Sequence, residues 1–220
     1  SLVADLTAKS QVNGKGVYAV PVADTSVLFA WNKDQYKAAG LDPEKAPTTF
    51  DELFAQCDAL KKAFPDKYCF DWNIPNGNGT FSFWTILLNA AGGKMWTDDL
   101  KSIAFNTPEG LAAMETYYQF MFVKKYADPA SWVLPDQFVT GDRFAAGTLP
   151  TAFLFDLQWT TMEDAAKSKV VGKVGWSIVP GIAGHRSGTI NGWEGYAVSQ
   201  FAKNPDLAVA YLSYLVSADS

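Results

Sequence analysis

The sequence is poor in the residues on which metal binding and covalent catalysis depend. It has two cysteines and a single histidine, His185, among 220 residues, so the usual spacings of zinc ligands are missing. Nucleophilic catalysis needs a Ser, Cys or Thr beside a base, most often His, and His185 lies in a glycine-rich loop without a nucleophile elbow anywhere in the chain. Glycine-rich phosphate loops are absent too. We therefore expect neither a metal nor a cofactor.

Positive charge and long apolar runs are also scarce. A net charge of −5 and a pI near 4.9 argue against a nucleic-acid partner, which needs clustered Lys and Arg. The longest apolar runs, 81–91 and 209–216, are well short of the roughly 20 residues that span a bilayer. The N-terminus shows no signal-peptide pattern, and a mature or truncated chain would look the same.

The two cysteines leave two interpretations open. Cys57 falls on a predicted helix, and Cys69 falls on a predicted strand, 68–72, that follows a short turn. The turn could bring the two residues together as a disulfide. The alternative is two separately buried thiols.

Helix signals recur along the chain. Thr49-Phe-Asp-Glu52 forms a capping box, in which the threonine oxygen accepts from the third helical amide while the glutamate reaches back. Asn32 can cap a short helix that Gly40 ends. A cap followed by proline at 107–108 and at 204–205 opens two more helices, and further helices are predicted over 81–91, from Asp136 to Gly147, and over 158–168.

Strand-like runs lie between these helices. Residues 17–32 indicate one strand, a bend at Pro21 and Asp24, and a second strand. The apolar run 151–156 and the run 174–179 indicate two more. Strands alternating with helices predict an α/β chain whose sheets are at least partly parallel.

Aromatic residues beside carboxylates are the strongest functional signal. The stretch 188–200 places Trp193 and Glu194 between two glycines, where the backbone can bend sharply and a ligand can approach. With 8 Trp, 9 Tyr and 15 Phe in the chain, several other Trp also fall in loops or at strand ends. An indole stacks on the apolar face of a sugar while Asp and Glu accept from its hydroxyls. The pairs of this kind are Asp71 with Trp72, Asp156 with Trp159, and Trp193 with Glu194.

The same carboxylates allow a second interpretation. Asp71, Asp156 and Glu194 all lie at ends of predicted strands, and glycosidases work with two carboxylates. We favour hydrogen-bond acceptors for sugar hydroxyls over paired catalytic groups.

Short motifs in a fixed order resemble a known family. The chain looks like the sugar-binding extracellular solute-binding proteins of ABC importers, the maltose-binding-protein-like family, over nearly its whole length. The motifs that carry the resemblance are 17–21, 28–33, 36–41, 47–53, 105–110, 144–147, 179–181, 192–199 and 203–208.

The resemblance implies an α/β fold of the type II periplasmic-binding-protein class, with two lobes joined by hinge strands that close on a sugar. It assigns 20–155 and 195–220 to the second lobe, and 1–19 and 156–194 to part of the first. Family members usually have a further stretch before the first crossing and a helical tail after the last motif. We therefore expect the second lobe plus a slice of the first.

The resemblance also implies a function. We expect a monomeric, non-catalytic protein, periplasmic or extracellular and anchored by lipid or free, that binds a mono- or oligosaccharide in a cleft between lobes and delivers it to an ABC permease. The alternatives are a carbohydrate-active enzyme or a binder of a polyamine, metal chelate or peptide. The expected ligand contacts are Asp24, Asp71, Trp72, Asp156, Trp159, Trp193 and Glu194.

Overall fold

The longest strand is β1, Val20–Asn32. The computed structural model describes residues 18–71, 78–133 and 138–216. Within it, β1 is one continuous strand of 13 residues, so the predicted bend at Pro21 and Asp24 is wrong. Proline lacks a backbone N–H and is tolerated near the start of a strand, which is where Pro21 lies.

Two strands pair with the second half of β1, one on each side. Strand β2, Thr151–Phe155, and strand β3, Val174–Ser177, both run antiparallel to it, giving the order β2-β1-β3. Phe29 lies opposite Phe153 on one side and Ser177 on the other. Parallel pairing, which the strand–helix alternation predicts, is found at isolated bridges, Thr49 with Gly181 and Phe70 with Ala127.

Alternation along β1 and β2 separates two cores, because successive side chains of a strand point to opposite faces. The larger core lies between one face of the sheet and the helices, and contains an aromatic cluster. The smaller core covers the opposite face of the sheet. Residues of the larger core include Val27, Phe29, Trp31, Phe50, Leu53, Leu60, Phe70, Phe83, Leu87 and Phe120. Residues of the smaller core are Ala30, Phe144, Ala145, Leu149, Ala152, Leu154, Met162 and Val170.

The capping signals place the first two helices correctly. Helix α1, Lys33–Ala38, begins after Asn32, whose Oδ1 accepts from two backbone amides. Helix α2, Phe50–Ala63, begins after Thr49, whose Oγ1 accepts from the Glu52 amide at 3.1 Å. The Glu52 carboxylate accepts from the amide of Thr48 at 2.7 Å, one residue before the predicted partner.

The remaining helices follow the prediction with two differences. Helix α4, Pro108–Tyr118, passes into a π-helical turn, Gln119–Val123. The helix predicted over 158–168 is only a 3₁₀ turn, Asp156–Gln158, followed by the short helix α6, Trp159–Met162. There the Asp164 carboxylate accepts from the Ala166 amide at 2.9 Å, a local turn that competes with helix. The other helices are α3 Asn78–Ala90, α5 Phe138–Ala145 and α7 Pro205–Leu215; Asp136 lies outside the described residues.

The two cysteines form the disulfide Cys57–Cys69, so the bridged alternative is confirmed. It joins the buried face of α2 to the segment before Asp71. That segment is not a regular strand. The Cys69 amide donates to the Tyr126 carbonyl at 2.9 Å, and the Cys69 carbonyl accepts from the Thr151 amide at 3.1 Å. The segment is thus hydrogen-bonded to a neighbour on each side, and its pairing with the segment of Tyr126 is an isolated bridge at Phe70.

The chain divides into two compact units. The larger comprises residues 26–190 and the smaller comprises 1–25 with 191–220. Residues 156–190, which the resemblance assigns to the first lobe, therefore group with 26–155, and residues 20–25 group with 191–220. The correspondence between these units and the two lobes of the family stays a prediction.

The smaller unit, where it is described, consists of the start of β1, strand β4, Asn191–Tyr196, and helix α7. Strand β4 pairs with β1, and the Thr25 hydroxyl donates to the Gly192 carbonyl at 3.2 Å. Helix α7 has no buried residue.

Candidate functional site

The turn after β2 presents a carboxylate and an indole together. Asp156 and Trp159 are three residues apart on the 3₁₀ turn and the first residue of α6, a spacing that puts both side chains on one side. The Asp156 Oδ2 accepts from the Ser26 amide at 3.2 Å, which fixes its direction. The Trp159 side chain is 54% exposed, so this turn offers an aromatic surface beside an anchored acceptor.

A pair of phenylalanine rings lies beside this turn. Phe155, the last residue of β2, and Phe138, the first residue of α5, have ring centroids 6.3 Å apart. The backbone of Phe155 is held by its amide, which donates to Gln158 Oε1 at 3.1 Å. Helix α5 packs tightly here, because a Cβ at Gly141 would lie 2.1 Å from Gln158 Nε2. Glycine at 141 thus permits the close approach that brings the two rings together.

Asp71 occupies a buried ion-pair cluster. Its carboxylate is completely buried, and its Oδ2 lies 2.9 Å from Arg143 Nη1. Neither oxygen accepts a hydrogen bond from the described residues, so the contact is an ion pair. Arg143 Nη2 also donates to Asp128 Oδ2 at 2.7 Å.

Burial dominates the electrostatics of this cluster. It raises the pKa of Asp71 to about 6, because a buried charge loses its hydration. The Arg143 guanidinium lowers the same pKa, and the Asp128 carboxylate raises it further. Asp71 is therefore a carboxyl group that changes its charge near pH 6.

Three other candidate ligand contacts, Asp24, Trp193 and Glu194, lie in the smaller unit. Asp24 lies next to Thr25 on β1, and Trp193 lies next to Gly192 on the paired strand. The Trp193 indole folds over Gly195, where an added Cβ would lie 2.8 Å from the ring. Its Nε1 is buried without a hydrogen-bond partner among the described residues, and Glu194 is exposed. The Trp193 ring therefore packs against the backbone of Gly195, and part of its surface remains accessible.

The structure groups the candidates by unit. It brings Asp156 and Trp159 together on one turn, and Asp71 into the ion-pair cluster; Trp72 lies outside the described residues. Assignment of the seven candidates to a ligand site stays a prediction. Sequence reasoning missed Phe138 and Arg143, because their partners are distant along the chain and neither carries a local motif.

Neither a metal-binding cluster nor a membrane-spanning helix is found in the described ranges, 18–71, 78–133 and 138–216. No group of three or more His, Cys, Asp or Glu residues in these ranges could hold a metal ion. None of their helices is both long enough and apolar enough to cross a membrane.

The fold and the sequence together define the class of protein. The model of the family described as bacterial extracellular solute-binding protein matches residues 2–220. The chain belongs to this family, whose members bind small-molecule ligands and interact with ABC permeases. The predictions of family and of a type II periplasmic-binding-protein fold are confirmed.

Particular relatives differ in what they bind. A probable amino-acid ABC transporter periplasmic-binding protein of Sinorhizobium fredii is 26% identical over 202 residues, which are 91% of this chain and 44% of its own length. The maltose-bound MalE3 structure of T. maritima is 23% identical with a TM-score of 0.83, covering 98% of this chain and 54% of that one. A ribitol-bound solute-binding protein of Agrobacterium radiobacter is 27% identical with a TM-score of 0.79, covering 95% and 51%.

The chain therefore spans about half the length of the relatives it matches.

Proposed function

We propose that the protein is a monomeric, non-catalytic solute-binding component of an ABC importer that binds a carbohydrate or polyol and delivers it to the permease. The observation that carries the proposal is the turn after β2, where the exposed Trp159 follows the anchored Asp156 carboxylate by three residues. A sugar presents apolar C–H faces and a rim of hydroxyls, so it needs this combination of ring and acceptor.

Three further observations support the proposal. The Phe138–Phe155 ring pair extends the aromatic surface beside the turn. Similar folds hold maltose and ribitol, both of which are rich in hydroxyls. The disulfide between Cys57 and Cys69 suits an oxidising compartment, in agreement with a periplasmic or extracellular location.

The test is a calorimetric titration of the full chain with maltose, ribitol and the amino acids, one at a time. We expect saturable binding of a sugar or polyol and none of an amino acid. Trp159→Ala should weaken that binding by more than about tenfold, the loss that removal of a stacked aromatic wall produces. A matched control is Trp96→Ala, because Trp96 is 50% exposed but lies outside the turn after β2.

The titration also separates the alternatives. Binding of an amino acid alone would replace the carbohydrate proposal with the ligand class of the Sinorhizobium relative. Hydrolysis of a bound glycoside that Asp156→Asn abolishes would replace it with an enzyme. Equal loss of affinity in the Trp159 and Trp96 variants would remove the turn after β2 from the site.

A separate variant tests Trp193, the candidate aromatic ligand contact of the smaller unit. Trp193→Ala should weaken the same binding by more than about tenfold through loss of stacking. An unchanged dissociation constant would remove Trp193 from the list of ligand contacts.

A further inference from the structure

Arg143 joins parts of the larger unit that are distant in sequence. Its Nη1 lies 2.9 Å from Asp71 Oδ2 and its Nη2 lies 2.7 Å from Asp128 Oδ2. Asp71 and Asp128 are both buried residues, while the Arg143 side chain is 29% exposed. A planar guanidinium presents its donors in a rigid fork, so one side chain can hold two carboxylates at a fixed separation.

The two carboxylates mark the ends of neighbouring segments. Phe70 and Ala127 form a parallel bridge, and the Asp128 amide donates to the Phe70 carbonyl at 3.3 Å. Asp71 and Asp128 are the next residues along each segment. The other oxygen of Asp128 accepts from the Ala130 amide at 2.8 Å, which starts the 3₁₀ turn Pro129–Val133. The ion pairs thus anchor both segments where their bridge ends.

Arg143 also belongs to the helix that forms one wall of the candidate site. Helix α5 begins with Phe138, the partner of Phe155, and Arg143 is five positions further along the same helix. The C-terminal half of α5 is fixed by the ion pairs, and its middle is fixed by the close contact of Gly141 with Gln158. Both contacts act on the same short helix of 8 residues.

We propose that Arg143 is a positioning residue of the ligand site: by bridging the Asp71 and Asp128 carboxylates it fixes α5, and thereby places the Phe138 ring beside the turn of Asp156 and Trp159. This inference rests on the proposed function for its ligand. It assigns Asp71 to the support of the site and not to direct contact with the sugar.

The charge of the bridge depends on pH. Arg143 on α5 and Asp128 on the neighbouring segment are the charged groups that act on Asp71. Burial raises the pKa of Asp71 to about 6, so a proton neutralises one of the two carboxylates below that pH. Arg143 then keeps Asp128 as its only charged partner in the cluster, and the bridge to the segment of Asp71 is weakened.

The test compares the full chain with Arg143→Lys and Arg143→Met, using Arg186→Lys as the matched control. Arg186 is the only other arginine of the sequence and lies in an exposed loop. Lysine keeps the charge but cannot span both carboxylates. We expect Arg143→Lys to weaken binding of maltose or ribitol by about tenfold, within the range of mutations that act through a network, and Arg186→Lys to leave it unchanged.

A pH profile separates positioning from a general loss of stability. The affinity of the unmodified chain should fall between pH 7 and pH 5, while Asp71→Asn should show no such titration. Both affinities are measured where circular dichroism shows the variants folded. A titration that persists in Asp71→Asn, or an unchanged affinity in Arg143→Lys, would overturn the proposal.

A measurement without ligand keeps the inference separate from the proposed function. Hydrogen exchange of the Asp128 and Ala130 amides should be faster in Arg143→Lys than in Arg186→Lys, because the hydrogen bonds of both amides depend on the position of Asp128. If neither maltose nor ribitol binds, the proposed function fails while the exchange rates still decide the role of Arg143. Equal exchange rates in the two variants would overturn that role.

Discussion

The two units of the chain differ in how far their apolar side chains are buried. In the larger unit many aromatic side chains pack against one another in the core, as Phe70 and Phe153 do in an edge-to-face contact with centroids 5.8 Å apart. In the smaller unit, within residues 18–25 and 191–216, the one buried residue is Thr25. The apolar residues Leu207, Val209, Tyr211 and Tyr214 of α7 are all more than half exposed.

This difference shows that apolar content does not by itself make a core. Helix α7 has the capping proline and the composition of a core helix, but the described part of its unit buries none of its residues and only half-buries one face, at Ala208, Leu212 and Leu215. Helices of this length are marginal without tertiary packing. We therefore expect the stability of the described chain to come from residues 26–190.

The largest effect should come from opening the aromatic core. Phe70→Ala removes a completely buried ring and should lower the free energy of unfolding by about 3–5 kcal/mol, the cost of such a cavity. The matched change in the smaller unit is Phe201→Ala, at a side chain that is 83% exposed, and we expect less than about 0.5 kcal/mol there. Urea unfolding followed by fluorescence measures both. Similar losses in the two variants would break the comparison.

The disulfide is the second largest contribution. The Cys57→Ala, Cys69→Ala double variant should lose about 2–3 kcal/mol of unfolding free energy, because the bridge restricts a loop of 12 residues in the unfolded chain. Urea unfolding under oxidising conditions gives the value, and the reduced parent chain should lose a similar amount. A reductant that leaves the unfolding midpoint of the parent chain unchanged would contradict this expectation.

The third effect depends on pH. Burial raises the pKa of Asp71 above its ordinary value of 3.8 to about 6, so the folded state binds this proton more tightly than the unfolded state. The contribution of Asp71 to stability is therefore complete below pH 3.8 and is lost as the pH rises through about 6.

Thermal unfolding from pH 4 to pH 8 tests this sign. The Tm of the parent chain relative to Asp71→Asn should fall by about 2–4 °C over that range, as expected for a change of ~1 kcal/mol in a domain of this size. A relative Tm that rises with pH would show that the ion pair with Arg143 outweighs burial.

The smallest effect compares two helix caps. Thr49→Ala removes a side-chain oxygen that accepts from the Glu52 amide and should cost about 0.5–1 kcal/mol. Asn204, the N-cap of α7, makes no side-chain capping hydrogen bond, so Asn204→Ala should have almost no effect. Urea unfolding of the two variants measures this difference. A larger loss in Asn204→Ala would show that α7 contributes more than its exposure suggests.

Local signals in the sequence predicted local structure well. The caps Asn32, Thr49 and Thr107 each mark the start of a helix within one residue, because a cap depends only on the next few amides. The length of the helix after Gln158 could not be predicted this way. Its periodicity continues to Ser168, but the Asp164 turn offers the backbone a competing set of hydrogen bonds.

Contacts between distant residues could not be predicted from single residues. Sequence marked Asp71 as a carboxylate at a strand end, but the pairing with Arg143 links positions 72 residues apart (143 − 71 = 72). Phe138 was missed for the same reason, since its ring partner lies in another element. The sequence did place Asp156 and Trp159 side by side, because their proximity depends only on the helical turn between them.

The Cys57–Cys69 bond also has a mechanical consequence. When the chain is stretched from its two ends, the tension passes through the bridge and bypasses the residues between the two cysteines. With a sequence separation of 12, roughly 40 Å of extended chain cannot be released under load. The half of helix α2 that follows Cys57 is thus shielded from pulling forces until the sulfur–sulfur bond is cleaved.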